Sequence, residues 1–193
     1  MKKLIPADLT PHYSRAFLFC MDWIYEAEGG DSDHSADKGG RTRFGISKGA
    51  YPSVDIPTLT WPQAMRIYHR DFWRGSRAKE LAEHGLLELA FLHCDAAINH
   101  GVPLANMLLQ QVLCVKVDGI LGSRTLAAAI NHNQEDLLVD YFARRASKYS
   151  RIAVNDPSQI TFLYGWHRRL FKLENRIEKA VMNESFYCSW DFV

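Results

Sequence analysis

Residues 26–46, EAEGGDSDHSADKGGRTRFGI, set Glu28, Asp37 and Thr42 within one short polar stretch. Glu28 ends an apolar helical stripe, since Phe17, Met21, Ile24 and Glu28 fall at i, i+4, i+7 and i+11. Desolvation along that stripe and the negative end of the helix dipole both favour the neutral carboxyl. Asp37 lies in a polar, glycine-rich loop and is expected to stay ionised. Two carboxyls whose surroundings separate their pKa values can divide acid and base work between them. Gly29 and Gly30 beside Glu28, and Gly39 and Gly40 beside Asp37, keep the wall low enough for a bulky ring to approach the backbone. Thr42 adds a hydroxyl that can hold a water. Together these groups meet the needs of glycosidic bond hydrolysis: one protonated carboxylic acid, and a second group that supports water or an oxocarbenium-like centre. Each residue also has a plainer role open to it. Glu28 can be a helix-end carboxylate, Asp37 an Asx-turn residue and Thr42 a strand hydroxyl.

The elements that must position these groups are mostly helical. The spacing predicts a helix over 14–28 that stops at Gly29-Gly30, then turn formers to about Ile46, with GGRTRFGIS as a short hairpin. Thr60 opens the next helix as T-W-P-Q, with glutamine at N3, and that helix carries Met65, Ile67, Tyr68, Phe72 and Trp73. Residues 86–100 form an apolar helix ending at Gly101, and PLANMLLQQVLC forms another. KVDGILGSRT is a glycine-punctuated turn whose Ser123 can cap the helix after it. Residues 135–153 and 158–182 read as two long, basic, amphipathic helices. The expected fold is therefore mainly α (α+β), a helical bundle with a small N-terminal loop or hairpin insert carrying the candidate residues. A soft boundary near Gly101 divides it into 1–100 and 101–193.

Other chemistry-bearing residues admit two readings. Tyr68, Trp73 and Trp166 offer aromatic faces for pyranose rings, but at helical spacing they also fit a core. Asp95 and Asn99, four apart on one helix face, either close a cleft floor or make helix-packing hydrogen bonds. Asp31, Asp33, Ser35 and Asp37 alternate like calcium-loop ligands, yet Ala36 and Thr42 stand where such a loop needs glycine and glutamate. His100, His132 and His167 lack zinc spacing, so neither metal nor cofactor is called for.

The 193 residues, 47% apolar, can bury a real core, and a net charge of +1 gives no pull toward nucleic acid or membranes. From Arg144 to Lys179 nine Lys/Arg face three acids, an excess that suits either an anionic polymer or solvated helix faces. Cys20, Cys94, Cys114 and Cys188 show no CxxC or metal-ligand spacing; Cys20, Cys94 and Cys114 lie in apolar segments that look helical and read as reduced core residues of a reducing compartment. The N-terminus, MKKLIPADLTPHYSR, has no apolar core of a secretory leader, and no run of 18 apolar residues occurs. The expectation is synthesis in the cytoplasm without stable membrane insertion.

The pattern E-G-G-x6-D-x-G-G-x-T-x-F-G-I-S resembles the signature of the glycoside hydrolase 108 family, bacterial and phage N-acetylmuramidases of which some are described as secretion-activating proteins. The likeness continues through YHRDFW (68–73), FLHCDAAINHG (91–101), VDGILGSRT (117–125) and FLYGWHRRL (162–170). It implies a lysozyme-like catalytic domain, a peptidoglycan-binding-like helical region after residue 101, and Glu28 as the catalytic acid. The interval Glu28, Asp37, Thr42 also resembles the Glu/Asp/Thr triad of phage-type lysozymes, which have one more residue before the threonine. Where the family usually has a tyrosine after EGG, this chain has Asp31. The resemblance implies a bacteriolytic endolysin or secretion-associated muramidase that cuts the β-1,4 bond between N-acetylmuramic acid and N-acetylglucosamine. Its partner is the peptidoglycan glycan strand, with Gly29, Gly30, Gly40, Tyr68, Trp73 and Asn99 as substrate-binding candidates. A holin or secretion apparatus would deliver it to the periplasm or cell wall. A lytic transglycosylase, or a non-catalytic wall-binding or secretion-assisting protein, are the alternatives.

Overall fold

The computed structural model describes residues 13–28 and 42–182, with the backbone alone at Glu28 and Met182. The chain divides into two compact units, Met1–Gly75 and Ser76–Val193. The fold is mainly helical with one two-stranded sheet among the described residues, as the sequence predicts.

In the first unit, α1 (Arg15–Glu28) turns Phe17, Met21 and Ile24 fully inward. Strands β1 (Thr42–Arg43) and β2 (Ile46–Ser47) pair antiparallel, Thr42 opposite Ser47 and Arg43 opposite Ile46. Their turn is Phe44-Gly45, with φ of 51° and 73°. Both residues are left-handed, as a two-residue type I′ hairpin requires, and only the glycine adopts that geometry without steric cost. Helix α2 (Trp61–Ile67) begins at Thr60, whose backbone N–H donates to Gln63 Oε1 at 2.8 Å, the reverse half of the expected capping box. Where a continuing α-helix is expected, Tyr68–Arg74 forms a π-helix. It ends at Gly75, where a Cβ would lie 2.0 Å from the Asp71 carbonyl oxygen, so the turn admits no side chain there without a backbone shift.

The second unit holds α3 (Ala78–Glu83), α4 (Leu87–His100), α5 (Val102–Val112), α6 (Ser123–Asn131), α7 (Gln134–Asn155) and α8 (Ile160–Met182). Helix α4 packs against α3, α5 and α7, and α7 packs against α8. Gly101, with φ of 80°, ends α4 and begins α5 in one residue, the predicted stop. Ser123 is not the cap of α6. Gly122 holds that position, and Ser123 is already helical.

Buried polar networks run through this unit. Asp95 and Arg145 are both fully buried, with Arg145 Nη2 donating to Asp95 Oδ2 at 2.7 Å, while Arg169 Nη2 donates to Oδ1 at 2.9 Å. Arg145 and Arg169 thus answer a buried carboxylate instead of lying on solvated faces, because an interior charge is tolerable only when paired. Gln110 organises the turn before α6. Its Nε2 donates to Asp118 Oδ1 and the Ile120 carbonyl, and its Oε1 accepts from the N–H groups of Asp118 and Gly119. Cys20 and Cys94 are buried free thiols, as expected. Cys114 departs from that expectation: it is exposed, in a left-handed turn just past α5. Cys188 lies outside the described residues.

Candidate active site

Glu28 is the last residue of α1, so its backbone sits at the helix end that carries partial negative charge. No basic residue lies in that last turn to offset it. Its side chain, together with Gly29, Gly30, Asp37 and Gly40, lies outside the described residues. Thr42 opens β1 and is half-buried.

A ring cluster ties the helix end to the hairpin. Tyr25, one turn before Glu28, stacks on Phe44 of the hairpin tip at 6.1 Å between centroids and meets Trp61 edge-on at 5.0 Å. Phe44 and Trp61 are 5.5 Å apart, and Tyr68 lies 6.2 Å beyond Trp61. Beneath them the Tyr68 hydroxyl donates to the Phe44 carbonyl at 2.7 Å. Arg43 extends over the Phe44 ring and donates to the Pro57 carbonyl at 2.6 Å. The left-handed Phe44 is thus held by its ring, its carbonyl and its neighbour, and the strand bearing Thr42 inherits a fixed relation to the last turn of α1. Rings at these separations contribute about 0.5–1.5 kcal/mol per pair beyond their area.

The aromatic candidates therefore take places different from those a sugar-facing role demands. Tyr68 and Trp73 are each 1% exposed, and Trp73 packs 5.8 Å from Phe17 of α1. They support the helix and hairpin from within. Asn99 is exposed in the second unit and donates to the backbone carbonyl of Asp95, its own helix one turn back. Sequence reasoning missed Tyr25, Phe44 and Trp61; the available signal was F-G in a tight turn, a pairing that places an aromatic at a left-handed position.

A second polar group in this unit is Asp71. It accepts from Arg70 Nη2 at 2.7 Å and from the Tyr51 hydroxyl at 3.0 Å. The Arg70 hydrogen bond holds the Asp71 carboxyl below the usual range, and burial next to that carboxylate pushes the Tyr51 phenol up to about 12. Asp71 is accordingly a fixed anion that braces the π-helix against the loop at Tyr51. Among the described residues no cluster of His, Cys, Asp or Glu could hold a metal.

Residues 21–101 match the family model described as Glycosyl hydrolase 108. This part of the chain is similar to the glycosyl hydrolase 108 family. Residues 104–171 match the Predicted Peptidoglycan domain, so the two matches adjoin across Gly101–Pro103. The glycosyl hydrolase 108 match includes Glu28 and Thr42 and runs past the division of the compact units at Gly75 to take in α3 and α4. The chain is similar to the solved structure of SagA from Brucella abortus, with a TM-score of 0.72 and 26% identity over 84% of this chain and 94% of that one. No curated protein matches. These findings place the chain among glycosidases that act on peptidoglycan.

Proposed function

We propose that the chain is an N-acetylmuramidase that hydrolyses the β-1,4 bond between N-acetylmuramic acid and N-acetylglucosamine. The observation that carries this reading is the position of Glu28 at the C-terminal end of α1, with the hairpin of Thr42 tied by rings to the same helical turn. At that end the helix dipole disfavours an ionised carboxyl. Glu28 gives its proton to the leaving oxygen as the glycosidic bond breaks. Asp37 takes a proton from water, or stabilises positive charge at the anomeric carbon, and Thr42 helps place that water. An inverting outcome follows if the water is used directly, which needs carboxyls about 6.5–9.5 Å apart. The catalytic region is assigned to about residue 100 and the peptidoglycan-binding-like region to the remainder. The enzyme would work in the periplasm or at the wall, delivered by a holin or a dedicated secretion apparatus.

The test is a mass spectrum of muropeptides released from purified sacculi. Products ending in reducing N-acetylmuramic acid are expected, and Glu28→Gln is expected to lower their rate by at least about a hundredfold. A 1,6-anhydro product would show a lytic transglycosylase instead, a mechanism in which Asp37→Asn retains much of the activity. Full function by Glu28→Gln would leave a non-catalytic wall-binding protein.

A further inference from the structure

Along α8, Tyr164, His167, Arg168, Phe171, Lys172 and Asn175 recur at i, i+3, i+4, i+7, i+8 and i+11, and they line one open groove of about 470 Å³. This stripe turns away from the buried face of the same helix, Leu170, Leu173, Ile177 and Ala180. Tyr164 is 79% exposed and Phe171 68% exposed, so both large aromatic side chains stand in water. Arg168 and Lys172 are exposed and form no salt bridge with a described residue, unlike Arg169 one position away. None of these six residues is an acid.

We propose that this face is a docking strip for an uncut, anionic glycan strand of peptidoglycan, separate from the site of bond cleavage. The proposal rests on the reading that peptidoglycan is the substrate and adds where a strand is held. Aromatic faces pack against the apolar faces of pyranose rings, which accounts for two exposed rings on one line. Seven residues of helix separate them, a rise of about 10 Å. That distance is on the order of one disaccharide of a β-1,4 chain, so the two aromatics meet equivalent faces of alternate sugars. Peptidoglycan carries one peptide stem, with its carboxylates, for each disaccharide. Arg168 and Lys172 lie four residues apart on the stripe, a rise of about 6 Å, beside the two rings, so both cations can meet the carboxylates of one stem. A neutral polysaccharide would use the rings and leave the cations idle, and a nucleic acid would require more positive charge than two residues supply.

The test is cosedimentation of the full chain with purified sacculi, in a Glu28→Gln background so that the wall stays intact. Tyr164→Ala with Phe171→Ala is expected to weaken binding at least about tenfold, equivalent to about 1.4 kcal/mol. Arg168→Gln with Lys172→Gln is expected to weaken binding at low salt and to flatten its salt dependence. Val154→Ala, which removes an exposed apolar side chain on α7, is expected to bind as the parent does. Both double variants binding like the parent overturns the strip, while release of muropeptides by the unmodified chain would leave the proposed cleavage standing. An unmodified chain that neither binds nor cuts sacculi removes the underlying reading itself. Two further results also overturn the strip: a dimer in solution that the aromatic variant abolishes, which makes the face a contact between copies, and binding to phosphatidylglycerol vesicles in preference to sacculi.

Discussion

Asp95 receives ion-pair partners from far along the chain, the buried Arg145 fifty residues away and the half-buried Arg169 seventy-four. Removing the carboxylate leaves the fully buried Arg145 without a counter-charge in surroundings that cannot solvate it. Asp95→Ala is therefore expected to cost about 3–5 kcal/mol, read as a lowered urea midpoint. Asp95→Leu combined with Arg145→Met should recover most of that loss, because the desolvation penalty disappears together with the attraction. A single variant as stable as the parent would show that the pair contributes nothing. The contrast with Glu28 shows which residues a sequence discloses. Glu28 announces itself by local order, since an apolar stripe of helical period runs up to it and glycines follow. Asp95 and Asn99 share a helix face, and that much is legible. What Asp95 binds is set by α7 and α8 folding over α4, which leaves no trace in local spacing. The same limit applies to Tyr68 and Trp73, where helical spacing is equally compatible with a sugar wall and with a core, and burial decides.

Elements with a strong period or a sharp stop were legible: α1, α2, α4, α5, α7, α8 and the Phe44-Gly45 hairpin. Two others were not. Helix α3 is only six residues long and sits between Gly75 and Gly85, too short for a period to emerge. The π-helix at Tyr68–Arg74 carries the same residues an α-helix would, and its lower winding has no sequence signature beyond the glycine that must follow it. The turn before α6 was legible as a turn, but its organiser was hidden, because Gln110 belongs to α5 and reads as an ordinary helical glutamine. Gln110 is 1% exposed and serves the N–H groups of both Asp118 and Gly119 as well as the Ile120 carbonyl. Gln110→Ala would strand those groups, at a cost of about 1–3 kcal/mol. The expected signature is local: amide exchange at Asp118 and Gly119 accelerates while α4 keeps its protection. Uniform acceleration across both would show that Gln110 supports the whole unit and not the turn alone.

The net charge of +1 conceals how the molecule responds to acid. His93 is completely buried; its Nε2 faces the Asn106 side-chain oxygen and the Ser76 carbonyl, and its Nδ1 lies 2.8 Å from the Tyr141 hydroxyl. Burial lowers its pKa to about 4, and burial followed by the Arg145 charge lowers His100 to about 4 as well. In the unfolded chain both histidines take up a proton near pH 6.5. The unfolded state thus binds more protons throughout the interval from about 6.5 down to about 4. The stabilising contribution of the neutral imidazoles is complete above 6.5, falls across that interval, and is exhausted below the folded values. The depressed carboxyls of Asp71, Asp118 and Asp156 act in a lower window, since their contribution is lost only as the pH falls below about 3.8. Between pH 6.5 and 4 the two histidines should therefore set the slope. The melting temperature is expected to fall steadily with acid over that range and to be flat from 6.5 to 7.5. The double variant His93→Gln, His100→Gln should start lower at pH 7.5, because it disturbs a packed interior, but lose much of the slope. An unchanged slope in the double variant would assign acid sensitivity elsewhere, and an imidazole resonance of His93 titrating near 6.5 in the folded chain would contradict its burial directly.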